Sequence, residues 1–128
     1  MKNNFYNKPI ENIYSEPYIR SEVSTQILYG EKFKILSKNK GWLKIKTNFD
    51  KYSGFIKNDI FKTSFKPSHK IFSAKSFIYK KVKSNLIKTK RCLYFSSEIK
   101  SLKNEKNFIK FDKNEWIKKK KFKKIKSY

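Results

Sequence analysis

Cysteine, histidine and acidic residues are scarce in this 128-residue chain, and that scarcity excludes several kinds of site. Cys92 is the single cysteine, so no internal disulfide can form and a metal site with two cysteine ligands is excluded. A thiol peptidase needs a base beside its cysteine and a third group that orients the base. His69, the single histidine, lies in a candidate linker, and Cys92 lies in an apolar strand pattern. We therefore expect a buried structural Cys92, a linker or strand-edge His69, and no catalytic residue, metal or cofactor.

Long apolar runs are also missing. The longest stretch without a charged residue, Val23 to Gly30, has eight residues, whereas a membrane-spanning helix needs about 20. The N-terminus, Met1-Lys2-Asn3-Asn4-Phe5-Tyr6, is polar and has no apolar core of a signal peptide. We therefore expect no membrane partner and a cytoplasmic location.

Basic residues are abundant, and most of them are in the second half of the chain. Lys and Arg number 33 against 10 Asp and Glu, for a net charge of +23. Residues 1–64 carry net +6 and residues 65–128 carry net +17. Such charge attracts polyanions, but 31 of the 33 are lysines, which lack the bidentate fork that favours phosphate and base recognition. The 38% hydrophobic and 17% aromatic contents indicate a folded chain.

The first half of the chain has the pattern of short β-strands. Residues 32–36 alternate strictly, with Phe33 and Ile35 on one face. Short strands at roughly ten-residue spacing, with turn residues between them, are typical of a small barrel or sandwich. We expect strands at Asn12–Ser15, Gln26–Tyr29, Lys32–Leu36, Trp42–Lys46 and Tyr52–Ile56, turns at Lys40-Gly41 and Asn48–Lys51, and a helical turn at Asn58–Phe61 capped by Asn58 or Asp59. The expected core or barrel-packing residues are Phe33, Ile35, Trp42, Ile45, Phe55 and Ile56.

The second half repeats this plan more weakly. We expect strands at Lys70–Phe72, Phe77–Tyr79, Cys92–Phe95, Phe108–Phe111 and Glu115–Ile117, a turn at Lys103–Lys106, and a charged tail from Lys118 to Tyr128. Pro67 disfavours helix at Lys66, and the segment around it lacks alternation. We therefore expect an all-β protein with two tandem small units: a first unit at residues 1–62, a linker at 63–69, and a second unit with a basic tail at 70–128.

The spaced elements of the first half resemble the bacterial SH3 domain. They are Ile13-Tyr14-Ser15-Glu16-Pro17, Ser24 to Glu31, Phe33-Lys34-Ile35-Leu36, Gly41-Trp42-Leu43-Lys44-Ile45, Tyr52-Ser53-Gly54-Phe55-Ile56 and Asp59-Ile60-Phe61. Phe55 stands where the family usually has Trp. The second half is similar to the second such domain of NlpC-type dipeptidyl-peptidases, cysteine peptidases that cut murein peptides. The resemblance implies two tandem small SH3-like barrels that form a noncatalytic module, not itself an enzyme, that partners an NlpC-type catalytic domain.

Glu31 and Tyr52 are the candidate substrate-binding residues. Gly30 can take a positive φ in the Tyr29-Gly30-Glu31 turn and present Glu31, and a carboxylate beside an aromatic hydroxyl suits an ammonium group. The resemblance implies the same use, because the first SH3 domain of these peptidases helps hold the free amino terminus of the murein peptide. The alternative without a binding function is that Glu31 is a solvated acid in a turn and Tyr52 is an aromatic residue of the core or the rim.

Two other functions stay open. Aromatic residues among lysines could stack on the bases of single-stranded nucleic acid, with Phe108, Phe111, Trp116 and Phe122 beside Lys118 to Lys121 as candidates. If the chain does not bind nucleic acid, we expect these rings to fill a thin core and the lysines to form a solvated tail. The chain could also be a free-standing adaptor for a separate hydrolase subunit.

Overall fold

The computed structural model describes residues 2–119 and the backbone of residues 122–124. The chain divides into two units, Met1–Phe65 and Lys66–Tyr128, and the division lies inside the segment assigned above to a linker. All strand pairs among the described residues are antiparallel, and these residues contain no α-helix. The expected all-β class is therefore confirmed. No helix in the described part of the chain is long and apolar enough to cross a membrane.

The first unit is one sheet of six strands. Its order is β1-β4-β5-β6-β2-β3, and the strands are β1 (Asn3–Phe5), β2 (Ile10–Tyr14), β3 (Val23–Leu28), β4 (Lys32–Asn39), β5 (Trp42–Thr47) and β6 (Ser53–Lys57). The Lys40-Gly41 turn joins β4 to β5 with both residues at positive φ, 43° and 83°, as two-residue hairpin loops require. The expected strands and turn of this half are present, with β1 in addition.

Hydrogen bonds beyond the strands bring the two edges of this sheet together. Next to β1, the backbone N–H of Tyr6 donates to the carbonyl of Glu31 (2.9 Å), and the N–H of Gly30, after β3, donates to the carbonyl of Tyr6 (2.8 Å). Phe5 also donates its N–H to the carbonyl of Lys62 (2.8 Å). The sheet is therefore curled into a small barrel with few free edge groups.

The core of the first unit follows the alternation of its strands. Its buried side chains are Tyr6, Ile13, Ile27, Phe33, Leu43, Ile45, Ile56 and Phe61, with Ile35 packed against them. Of the six residues expected to be core or barrel-packing residues, Trp42 and Phe55 lie outside this core. Each is directly next to a buried residue of the same strand, Leu43 or Ile56, so it points to the opposite face. Trp42 is half-buried and packs edge-on against Tyr14 (5.7 Å between ring centroids).

The expected helical turn at Asn58–Phe61 is wrong. These residues form no helix; the N–H of Asn58 donates to the carbonyl of Gly41 (2.8 Å), and the Asp59 carboxylate accepts the N–H of Ile60 (2.8 Å). The capping side chain thus bonds within its own turn, as Asp side chains often do in loops. The chain stays irregular and delivers Phe61 to the core, edge-on to Phe33.

The second unit contains two antiparallel sheets. The five-stranded sheet has the order β11-β12-β13-β8-β9 and the three-stranded sheet has the order β10-β7-β14. The strands are β7 (His69–Ile71), β8 (Lys75–Val82), β9 (Asn85–Tyr94), β10 (Glu98–Ile99), β11 (Lys103–Glu105), β12 (Phe108–Asp112), β13 (Glu115–Lys118) and β14 (Phe122–Lys124). Its buried apolar side chains are Ile71, Ile78, Cys92, Leu93, Ile99, Ile109, Phe111, Trp116 and Ile117.

Two sequence-based expectations for this unit need correction. The sequence pattern predicts no strand for residues 80–91, but they belong to the long β8–β9 hairpin, in which Val82 pairs with Asn85. Lys103–Lys106, expected to be a turn, begins with strand β11, and only Lys106 and Asn107 turn. In both places lysines on the solvent side of a strand give the sequence a loop-like pattern. A strand with one solvated face needs few apolar residues.

Candidate functional site

The turn between β3 and β4 holds Glu31 in a defined position. Gly30 has φ 82°, a value that costs glycine little and other residues more, so the expected positive φ is confirmed. The Glu31 N–H donates to the carbonyl of Leu28 (3.0 Å), and its Oε1 accepts the N–H of Leu28 (3.2 Å). The carboxylate is therefore folded over its own turn, and its orientation is set by backbone contacts.

The turn between β5 and β6 positions Tyr52. The Tyr52 N–H donates to Thr47 Oγ1 (2.9 Å) and its carbonyl accepts the N–H of Thr47 (2.8 Å). The Thr47 hydroxyl itself donates to the carboxylate of Asp50. Tyr52 is 47% exposed, so its ring is at the rim of the barrel and accessible to a ligand.

The two turns lie at the same end of the barrel. The N–H of Asn48 donates to the carbonyl of Lys32 (3.0 Å), the residue after Glu31. In the sheet, Phe33 is opposite Thr47, and β6 pairs with the other edge of β5. Glu31 and Tyr52 are thus separated by about two strand spacings, roughly 10 Å between their backbones, with β5 between them in the sheet.

Two further residues of this end were not singled out from the sequence. Phe49, at the tip of the β5–β6 turn, is 92% exposed, and Asp50 adds a second carboxylate beside it. The Lys32 ammonium lies over the ring of Phe5 (6.0 Å to the centroid). The sequence does contain an indication of this site: Phe49 is an aromatic residue inside a polar turn, where no neighbouring strand would bury it. We call Glu31, Phe49, Asp50 and Tyr52 the acidic–aromatic end.

Cys92 and His69 lie in different strands of the second unit. Cys92 is a free, buried thiol on β9, opposite Phe77 of β8, and its expected burial is confirmed. His69, on β7, has its Nδ1 2.8 Å from the Ser68 hydroxyl, which also accepts the N–H of Ser101. Among the described residues no group of three His, Cys, Asp or Glu side chains could hold a metal ion.

The aromatic candidates for nucleic-acid stacking divide into several groups. Phe111 and Trp116 are buried, 1% and 2% exposed, so neither offers a free ring face in this structure. Phe108 is half-buried and packs against Tyr79 (4.9 Å). The side chain of Phe122 and the candidates Lys120 and Lys121 lie outside the described residues.

The family model described as the bacterial dipeptidyl-peptidase Sh3 domain matches residues 13–59. Residues 13–59 are therefore similar to a bacterial SH3 domain. The match runs from β2 to the loop after β6, so it includes the whole acidic–aromatic end of this SH3 domain. A domain of this kind alone is noncatalytic. No curated protein matches the chain at a significant level.

Proposed function

We propose that this chain is a substrate-binding module of a bacterial cell-wall hydrolase, and that its ligand is a murein peptide. The observation that carries the proposal is that the matched SH3 domain presents Glu31, Asp50 and two exposed aromatic rings at one end. In this proposal the second unit is a second SH3 barrel. The bond-breaking group belongs to an NlpC-type catalytic domain, attached in cis or docked in trans, and the complex acts in the cytoplasm.

The proposed mechanism is capture of a free amino terminus. An α-amino group has a pKa near 8 and is therefore a cation at neutral pH. The Glu31 carboxylate, already oriented by the Leu28 N–H, accepts a charge-assisted hydrogen bond from this ammonium. Tyr52 supplies a ring face and a hydroxyl on the other side, and Phe49 covers the first side chain of the peptide. Peptides whose amino group is blocked are then rejected, since they carry no ammonium group to donate to Glu31.

Amide chemical shifts of the labelled chain locate the binding surface. On titration with the dipeptide Ala-γ-Glu, we expect the largest changes at residues 29–31 and 48–52. We expect Glu31→Gln to remove most of these changes without altering the amides of the second unit. Glu16→Gln, an exposed acid in the β2–β3 loop, is the matched control and should titrate as the native chain does. Changes centred elsewhere, or unchanged by Glu31→Gln, would refute the site.

The proposal also assigns no peptidase activity to this chain. Incubation with Ala-γ-Glu peptides should leave them intact, with the native chain and with Cys92→Ser alike. Turnover that disappears in Cys92→Ser would contradict the assignment. Stable co-purification with a separately expressed hydrolase would favour the adaptor form of the function over a module attached in cis.

A further inference from the structure

A groove on the outer face of the five-stranded sheet is lined by Phe77, Tyr79, Lys88 and Lys118. Its volume is about 210 Å³. On β8, Ser76 and Ile78 are buried, so the alternate residues Phe77 and Tyr79 point to the outer face. On β9, Lys88 is directly opposite Tyr79. On β13, Trp116 pairs with Tyr79, and Lys118 is two residues further along that strand. Three adjacent strands therefore build this basic–aromatic groove.

The two lysines of the groove lie over its two rings. The Lys88 ammonium is 4.0 Å from the centroid of the Phe77 ring, and the Lys118 ammonium is 5.7 Å from that of Tyr79. Phe108 supports Tyr79 from the side, with 4.9 Å between the ring centroids. The position of the Tyr79 ring is thus fixed by packing, while the flexible lysine side chains can move away.

The positive charge of the groove is not neutralised within the described part of the chain. Nearby acids are paired with other cations: Glu105 with Lys81 (2.8 Å) and Lys103 (3.3 Å), and Glu115 with Arg91. Lys88 and Lys118 form no ion pair with any described carboxylate. Two ammonium groups without acidic partners, beside two rings, are complementary to a ligand that carries both anions and flat apolar surfaces.

We propose that the basic–aromatic groove binds single-stranded nucleic acid. Phosphates draw the Lys88 and Lys118 ammonium groups off the rings, and a base then stacks on the ring face that the ammonium has left. An acidic polypeptide would satisfy the two lysines but would leave the rings unused. A duplex would present its phosphates with its bases already stacked on one another. This proposal does not depend on the peptide-binding function of the first unit.

Fluorescence anisotropy with a labelled oligothymidylate of about 15 nucleotides tests the groove on the full chain. We expect the double variant Lys88→Gln/Lys118→Gln to weaken binding at least about tenfold. It should also lower the slope of log affinity against log salt by about 1.4, since each phosphate contact with a single strand contributes about 0.7. We expect Phe77→Leu to weaken binding about tenfold with little change in that slope, because it removes stacking and keeps the charge.

The matched control is Lys34→Gln/Lys46→Gln, which removes two exposed, neighbouring lysines from the first unit. It should weaken binding less than about twofold because neither lysine lines the groove. Unchanged tryptophan emission and circular dichroism verify that each variant is folded. Three results would each overturn the proposal: a groove variant no weaker than this control, a Phe77→Leu variant that binds as the native chain does, or equal binding of a duplex or an oligoglutamate of the same length.

Discussion

At the scale of single residues, Gly54 decides whether β6 can reach β2. A Cβ atom at this position would lie 2.5 Å from Cγ2 of Ile13 and 2.8 Å from the carbonyl oxygen of Tyr14. Ile13 is fully buried and Tyr14 pairs with Phe55, so neither neighbour can move aside freely. Because Gly54 has no side chain, β6 can approach β2 closely enough to pair with it in the barrel of the first unit.

We expect Gly54→Ala to destabilise the first unit by about 1–3 kcal/mol, the usual cost of overpacking. Urea unfolding measures this effect when it is followed by Trp42 emission in a Trp116→Phe background, because each unit contains one tryptophan. Ser53→Ala, at the exposed neighbouring position, is the control and should change stability little. Equal midpoints for the two variants would show that the close approach at Gly54 is not needed.

Tyr6 makes the first unit sensitive to alkaline pH. Its side chain is 3% exposed and packs against Phe61. Burial, with smaller contributions from the charges of Glu11 and Asp59, raises the pKa of the Tyr6 phenol well above its ordinary value of 10. The folded state therefore prefers the neutral phenol, and this contribution to stability is complete below the unfolded pKa and is lost as pH rises above it.

We expect the native first unit to lose about 1 kcal/mol more stability than Tyr6→Phe does when pH rises to about one unit above the unfolded tyrosine pKa. Deprotonation of the many lysines in this range affects both proteins equally, so the difference between them isolates Tyr6. Urea midpoints at neutral and alkaline pH supply the measurement. Parallel pH curves for the two proteins would mean that the phenol ionises without a folding penalty.

At the scale of elements, the β8–β9 hairpin turns without glycine. Lys83 and Ser84 both have positive φ, 47° and 74°, which fits a two-residue hairpin loop. Such loops usually contain Asn-Gly or Asp-Gly, so the Lys-Ser sequence does not predict a hairpin loop. The register of the hairpin is instead fixed by its core face, where Ser76 pairs with Leu93 and both are fully buried.

We expect Ser84→Gly to stabilise the second unit by about 1 kcal/mol, since the left-handed conformation costs a residue with a Cβ roughly that much. Trp116 emission during urea unfolding, in a Trp42→Phe background, reports on this unit. Ser101→Gly is the matched control. Its backbone does not have a positive φ, so added freedom should lower stability there. A loss of stability in Ser84→Gly would contradict the turn geometry.

Elements with alternating apolar residues and a glycine turn could be predicted from the sequence. Strands β4 and β5 and their Lys40-Gly41 turn are examples. Strand β1 could not, because Asn3 and Asn4 give no strand pattern and the strand depends on pairing with the distant β4. The sequence did not decide whether Trp42 and Phe55 lie in the core, because the positions of the buried Leu43 and Ile56 determine which face each strand buries.

At the scale of the whole molecule, the two units differ in the charges they carry. The first unit gathers two acids and two exposed rings around the turns at Glu31 and Asp50, in a chain of net charge +23. The second unit holds the basic–aromatic groove around Tyr79. The all-β class and the positive φ of Gly30 could be predicted from local pattern. The approach of Phe49 and Asp50 to Glu31 could not, because it depends on the pairing of β4 with β5.

The central claim is that Glu31 binds the free amino terminus of a peptide. Calorimetric titration of Ala-γ-Glu and its N-acetyl derivative into the native chain and into Glu31→Gln measures this directly as a coupling between the carboxylate and the ammonium. We predict that acetylation weakens binding at least about tenfold in the native chain and in Glu16→Gln, but less than about threefold in Glu31→Gln. Equal losses on acetylation in the native chain and in Glu31→Gln, or no loss in either, would contradict the account.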